Sequence, residues 1–130
     1  MNGNSVALDT NQAIAVLNGT ADAREWVQSF EHVYLPVPVV GELRFGAMNS
    51  KRVQDNLERV GQIITRCTIL NVDLETTEAY ARTRLQLKVN GTPIPENDVW
   101  IAAVCLQHKI RLATSDEHFS SVEGLEIIKK

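Results

Sequence analysis

The sequence predicts an α/β fold built around a parallel sheet. Short apolar runs alternate along the chain with longer segments that have helical periodicity, which is the pattern of strands and helices in turn. The 130 residues contain no repeat, low-complexity tract or linker, and 44% of them are hydrophobic. That composition is enough to bury the core of one domain. We therefore expect residues 1–130 to form a single α/β domain.

The first third of the chain predicts two strands and two helices. The segment "SVAL", with three apolar residues in a row, predicts a strand over 5–8, and the segment 11–17 predicts a short helix that ends at "NGT". A second helix is expected over 21–30 because its large apolar residues share one face, namely Trp26, Val27 and Phe30. A second strand follows over 33–35.

Two prolines mark the next boundary. Pro36 and Pro38 should break the strand pairing, and Pro38 suits the first residue of a helix that runs to about Met48. The segment 51–66 predicts an amphipathic helix with one apolar stripe, made of Val53, Leu57, Val60 and Ile64.

The second half predicts three strands and two long helices. We expect a strand over 68–72, a helix over 74–89, a loop over 90–98 ("NGTPIPEND") and an apolar helix over 98–108. The last two predicted strands are 110–113 and 125–128.

Composition excludes several classes of function. Thirteen Lys and Arg against sixteen Asp and Glu give a formal charge of −3, so the chain as a whole does not attract nucleic acid or anionic lipid. No apolar run approaches the roughly 18 residues of a membrane span. Cys67 and Cys105 stand alone in apolar surroundings, which indicates buried reduced thiols. We expect a cytoplasmic protein with no membrane contact.

Four acidic residues fall where a parallel α/β fold places its sites. Helices that follow strands begin at the carboxyl edge of the sheet, where ligands bind. Asp9 ends the first strand, Asp116 follows the strand of "IRLAT", and Asp98 begins the helix that leads into it. Glu42 lies early in the helix after the second strand and shares a face with apolar neighbours. The four carboxylates should therefore converge at one end of the sheet.

Such a cluster predicts a divalent metal. Like charges at short range raise one another's pKa values unless a cation lies between them. Oxygen ligands without Cys or His indicate Mg²⁺ or Mn²⁺, and those ions at a carboxylate site suit hydrolysis of a phosphodiester.

Each acid also has a structural interpretation when considered singly. Asp9 and Asp98 have the position and chemistry of helix caps, and Asp116 of a turn residue. Glu42 is harder to explain as structure alone, because a carboxylate on an apolar helix face needs a partner. The three histidines are scattered, so surface or packing roles are expected for them, namely His32, His108 and His118.

The order and spacing of four motifs resemble the PIN-domain ribonucleases. "LDTNQAI", "GELRFGA", "PENDVWIAA" and "LATSDEHFSSVEGLEI" are similar to the successive acidic motifs of that family, in particular of the VapC-type toxins of bacterial type II toxin–antitoxin pairs. By this resemblance the metal-binding and catalytic acids are Asp9, Glu42, Asp98 and Asp116. It also implies that Asn11 and Thr114 support the acids or contact substrate, and that His118 and Phe119 are packing residues.

The resemblance implies a three-layer α/β/α fold with a central parallel sheet of four to five strands. It implies an endoribonuclease dependent on Mg²⁺ or Mn²⁺, which cleaves RNA, inhibits translation and growth, and is neutralised by a cognate VapB-type antitoxin. The alternatives are a phosphatase with Asp9 as nucleophile, which lacks the expected acid at position 11, and a PIN-like module that only binds RNA or protein.

Association follows from apolar surface. The apolar residues on the helices predicted over 21–30 and 51–66 exceed what a small sheet covers, so an exposed remainder would mark an interface. A two-fold homodimer is the commonest way to bury such a surface.

Overall fold

The computed structural model describes residues 4–129 and shows a three-layer α/β/α fold around a five-stranded sheet. All strand pairs are parallel and their order is β3-β2-β1-β4-β5. The strands are β1 (Ser5–Leu8), β2 (His32–Pro36), β3 (Thr68–Leu70), β4 (Leu112–Ala113) and β5 (Ile127–Ile128). The α/β class and the parallel sheet predicted from the sequence are confirmed.

Six helices connect and cover the strands in the described part of the chain. They are α1 (Thr10–Leu17), α2 (Ala21–Gln28), α3 (Val37–Met48), α4 (Val53–Arg66), α5 (Leu74–Val89) and α6 (Glu96–His108). A short 3₁₀ helix over Glu117–Ser121, which the sequence pattern did not predict, follows β4. No helix among the described residues is long and apolar enough to cross a membrane.

The core lies on both sides of the central strand. Val6, Ala7 and Leu8 of β1 are fully buried, because helices cover both faces of a parallel sheet and leave the central strand no solvent-facing side. The middle of α6, from Ile101 to Cys105, is also fully buried. Cys105 and the half-buried Cys67 are free thiols, and burial raises the pKa of Cys67 to about 11. Reduced thiols were predicted.

The prediction that Pro36 breaks the strand pairing was wrong. Pro36 is the last residue of β2 and lies opposite Leu70 of β3. Its φ of −58° and ψ of 136° are extended, so the ring fits a strand end, where the missing N–H removes little of the ladder. Pro38 lies in the first turn of α3, close to where it was expected.

The predicted start of β4 at Ile110 was also wrong. Lys109 adopts a left-handed conformation with φ 56°, and the Ile110 N–H donates to the Cys105 carbonyl at 3.0 Å. These residues close the carboxyl end of α6, as in a Schellman motif, so the strand pairing begins at Leu112. At the other end, α6 begins at Glu96, so the last three residues of the predicted loop are helical.

The apolar faces of α2 and α4, which the sequence predicted as a dimer interface, are not the exposed ones. Trp26, Val27 and Phe30 are partly buried against the core, and Val60 is almost completely buried. Large exposed apolar side chains lie instead on the outer sides of other helices, including Phe45 and Met48 of α3 and Leu74, Leu85 and Val89 of α5. The rest of the fold covers more of α2 and α4 than the sequence pattern indicated.

Candidate functional site

The carboxyl edge of the sheet brings Asp9 and Thr114 side by side. Leu8 of β1 pairs with Ala113 of β4, so the next residue of each strand leaves the sheet at the same level. The Thr114 hydroxyl donates to Asp9 Oδ2 at 2.7 Å, and both side chains are buried. Asp9 Oδ1 accepts the Thr10 N–H at 2.8 Å and caps α1. Asp9 is therefore both a cap and a member of this site.

Asp116 is held in the same network. The Thr114 hydroxyl accepts the Asp116 N–H at 3.0 Å, so one buried hydroxyl bridges the two acidic segments. Asp116 Oδ1 accepts the His118 N–H at 3.0 Å, which fixes the turn into the 3₁₀ helix. Thr114, predicted as a supporting residue, is placed by these contacts between Asp9 and Asp116.

Asp98 enters from the first turn of α6. Its partial burial, followed by the charges of Asp9 and Asp116, raises the pKa of the Asp98 carboxyl from 3.8 to about 6. The charge of Glu42 acts in the same direction, whereas a hydrogen bond with His118 opposes it. Burial is the largest cause of this rise, and the negative charges of three acids from other segments add to it, so Asp98 lies close enough to all three to be affected by their charge.

Glu42 lies at the rim of the cluster and not on an apolar face. The buried side of α3 is formed by Val39, Val40, Leu43 and Ala47, while Glu42 is exposed. The apolar-face argument for Glu42 was therefore wrong. The Asn97 side-chain amide donates to Glu42 Oε1, which ties α3 to the first turn of α6 and holds this carboxylate beside Asp98.

His118 belongs to the cluster, so its prediction as a packing residue was wrong. Its Nδ1 lies 3.1 Å from Asp116 Oδ1 and 3.5 Å from Asp98 Oδ2, and 49% of the side chain is exposed. The neighbouring Phe119 is fully buried, as predicted, and anchors the short helix that presents the histidine.

Two polar residues of α1 border the site. Asn11 is exposed on the first turn, and within residues 4–129 its side chain makes no hydrogen bond to the four acids. Thr10 Oγ1 is a buried oxygen for which the described residues provide no hydrogen-bond partner. A buried hydroxyl is normally satisfied, so this oxygen indicates a missing polar partner next to Asp9.

The donor set fits a divalent cation. One ligand atom each from Asp98, Asp116 and His118 can be chosen so that all lie within 4.8 Å of one another. Asp9, linked to Asp116 through Thr114, adds a further carboxylate whose charge reaches Asp98. A bound cation would balance the negative charge of these carboxylates, which repel one another. The unpartnered Thr10 hydroxyl offers a further oxygen next to Asp9.

Sequence reasoning missed Asn97 and His118. Asn97 directly precedes Asp98, and His118 follows Asp116 at the two-residue spacing of an Asx turn, so both could have been found from their neighbours in the sequence.

The carboxylates determine what the site can do chemically. They can hold a hard cation, which orients a water and stabilises charge on a phosphoryl oxygen.

Comparison with known proteins gives consistent matches over nearly the whole chain. The sequence profile of the PIN domain matches residues 6–125. The VapC ribonuclease Y4jK of Sinorhizobium fredii is 32% identical, over 95% of this chain and 95% of that protein.

Solved structures match the fold to the same extent. The crystal structure of FitAcB from Neisseria gonorrhoeae has a TM-score of 0.81 at 30% identity and covers 95% of this chain and 96% of that one. VapBC-5 from Mycobacterium tuberculosis, a member of a family of toxin-antitoxin systems, has a TM-score of 0.78 at 26% identity, with 98% and 99% covered.

Proposed function

The chain belongs to the PIN-domain family, in its VapC type, and on that premise we propose that it is the toxin of a type II toxin–antitoxin pair. It acts as a metal-dependent endoribonuclease that hydrolyses RNA phosphodiester bonds and so inhibits translation and growth. The observation that carries the proposal is the joining of Asp9, Asp116 and Asp98 at the carboxyl edge, with a raised pKa at Asp98.

Asp9, Asp98, Asp116 and Glu42 are the proposed metal ligands and catalytic acids, and Mg²⁺ or Mn²⁺ is the proposed ion. When bound, such an ion supplies acidification of a water and charge stabilisation at the phosphate. Thr114 keeps the Asp9 carboxylate in one rotamer by donating to Oδ2. The Asn97 amide occupies Glu42 Oε1, so Oε2 is left to orient the attacking water through a hydrogen bond.

RNA binding is proposed at the surface beside these acids. Asn11 is exposed on the first turn of α1 and offers its amide to a phosphate or ribose oxygen. A groove of about 240 Å³ is lined by Glu42 together with Asn56 and Arg59 and several apolar side chains. The RNA is proposed to be cut in a single strand or at a structured site, because proteins recognise RNA by its shape and by unpaired bases.

The partner is proposed to be a cognate VapB-type antitoxin. VapBC-5 of Mycobacterium tuberculosis belongs to a family of toxin-antitoxin systems, and its fold covers nearly all of this chain. The antitoxin is expected to be encoded beside the toxin as a chain of roughly 70 to 90 residues whose tail folds on binding. Co-expression that fails to relieve growth arrest, with every neighbouring short reading frame tested, would contradict this assignment.

A cleavage assay tests the nuclease. Purified protein with a fluorescent single-stranded RNA should cut in Mg²⁺ or Mn²⁺, stop in excess EDTA and resume when metal is restored. Asp9→Asn should abolish cleavage while the amide still caps α1, and Glu78→Gln, an exposed carboxylate of α5, should cut as the wild type does. Cleavage that persists in excess EDTA would contradict the proposal. Absence of both metal binding and cleavage would favour the inactive binding module.

A further inference from the structure

We propose that His118 is itself a metal ligand in this site and that its imidazole nitrogen makes the site prefer Mn²⁺ to Mg²⁺. The inference rests on the proposed function, because it concerns the ion that the acids would hold. It adds a residue that neither the acidic motifs nor the carboxylate geometry required.

The first observation is the spacing of the ligand atoms. His118 Nδ1 lies 3.1 Å from Asp116 Oδ1 and 3.5 Å from Asp98 Oδ2. In a six-coordinate ion with ligands at about 2.1 Å, adjacent ligand atoms are separated by about 3 Å. The imidazole nitrogen therefore lies where a neighbouring ligand of the two carboxylates would lie. In the metal-free protein it hydrogen-bonds to Asp98, and on cation binding the proton leaves Nδ1, to solvent or to Nε2, so that the nitrogen lone pair is free for the ion.

The second observation is that the backbone fixes this position. The His118 N–H donates to Asp116 Oδ1 at 3.0 Å, and the adjacent Phe119 is completely buried. The peptide on either side of the histidine is thus held by the turn and by the core. Although 49% of its side chain is exposed, Nδ1 faces the carboxylates and not the solvent.

The other two histidines provide an internal contrast. His32 is the first residue of β2, at the amino edge of the sheet, and His108 is the last of the thirteen residues of α6, at the opposite end of that helix from Asp98. Both are exposed. Neither can approach Asp98 without breaking the element that holds it, so a histidine signal at the metal would come from His118.

Donor chemistry then sets the metal preference. Mg²⁺ binds carboxylates, carbonyls and water, and it gains little from an imidazole, whereas first-row transition ions bind imidazole well. An all-carboxylate site would accept both ions with similar ligands. One nitrogen ligand among the oxygens shifts the site toward Mn²⁺.

Metal titration of the EDTA-stripped protein tests the proposal. Mn²⁺ affinity is measured by the EPR signal of the free ion and Mg²⁺ affinity by calorimetry. We expect His118→Ala to weaken Mn²⁺ binding by about 10- to 100-fold and Mg²⁺ binding by less than about 3-fold, since a ligand is lost only by the ion that uses nitrogen. His118→Asn, which offers an oxygen in place of Nδ1, should lower the Mn²⁺ preference while Mg²⁺ binding remains. His108→Ala is the matched control and should bind both ions as the wild type does.

Pulsed EPR of the Mn²⁺ complex gives a readout independent of affinity and activity. The wild type should show a ¹⁴N coupling to Mn²⁺ that changes to a ¹⁵N coupling when the protein is labelled with ¹⁵N-histidine, and His118→Ala should lose it. Unchanged Mn²⁺ affinity in His118→Ala with no nitrogen coupling in the wild type would overturn the proposal and leave the nuclease proposal intact. A wild type that binds neither ion would overturn both.

Discussion

Replacing Asp98 with Asn should stabilise the metal-free protein at pH 7 while it removes metal binding. Asp98 has a carboxyl pKa raised from 3.8 to about 6, and its side chain is only 17% exposed, so solvent screens little of this effect. An amide of the same shape does not ionise. The wild type has an unfavourable free energy in the folded state because this charge is partly buried near Asp9 and Asp116. The folded variant lacks that unfavourable contribution.

The magnitude follows from the shift in pKa. The rise of the Asp98 pKa from 3.8 to about 6 corresponds to about 3 kcal/mol at a pH above both values. Asp98 also lies in the first turn of α6, where the helix dipole favours a negative charge, and losing that interaction offsets roughly 0.5 kcal/mol. We expect a net gain of about 2 kcal/mol, or roughly 6–10 °C in the melting temperature of a domain of this size.

The pH dependence has a definite sign. The folded-state pKa of Asp98 is raised, so ionisation of this residue destabilises the folded wild type. The destabilisation is absent below the unfolded pKa of 3.8 and complete once the pH exceeds about 6. The difference between Asp98→Asn and the wild type should therefore be near zero at pH 3, grow between pH 4 and 6, and level off by pH 7.

Urea unfolding in EDTA at a series of pH values measures this difference. Glu78→Gln, which removes an exposed carboxylate from α5, should show no comparable gain at pH 7. Equal stability of Asp98→Asn and the wild type at pH 7, or a gain that persists at pH 3, would refute the reasoning. Adding Mn²⁺ at 100 times its dissociation constant should stabilise the wild type by about 2.7 kcal/mol and the variant by much less.

Three further predictions concern other parts of the molecule. Thr114→Val should lower cleavage and destabilise the fold by about 1–3 kcal/mol, because Asp9 Oδ2 and the Asp116 N–H each lose a hydrogen-bond partner. Cleavage assays and urea unfolding measure the two effects, and wild-type values in both would contradict the prediction. Phe119→Ala should cost about 3–5 kcal/mol in urea unfolding, since the ring is completely buried, and a loss below 1 kcal/mol would argue against its place in the core. The homodimer remains a prediction, and its interface is now expected on the exposed apolar face of α5. Light scattering should give about twice 14.5 kDa for the wild type and the monomer mass for Leu85→Glu. A monomeric wild type would exclude the dimer.

The sequence by itself determined the fold class and the edge at which the acids meet. "SVAL" is buried at every position, and three of its four residues are apolar, because helices cover both faces of the sheet; the acid that follows it must lie at the carboxyl edge. The same local logic placed Asp98 at a helix start and Asp116 after a strand. These features depend on residues that are neighbours along the chain, so a local pattern is enough to predict them.

Tertiary structure decided the contacts between segments. Asn97 reaches Glu42 across 55 positions, and Thr114 reaches Asp9 across 105, so only the strand order and the packing of α3 against α6 bring these atoms together. The family resemblance and the scattered positions of the histidines predicted His118 as a packing residue, yet a turn at Asp116 directs its nitrogen to two carboxylates.

The sequence pattern likewise did not predict which apolar faces are exposed. The stripe of α4 and the aromatic face of α2 looked too large for the sheet, but the fold buries Val60 and packs Trp26 and Phe30 against the core. Leu85 and Val89, on a helix with almost no apolar periodicity, are exposed to solvent. Periodicity shows which side chains share a face, whereas which face is covered depends on where the neighbouring layers lie, and that is settled only when the whole chain has packed.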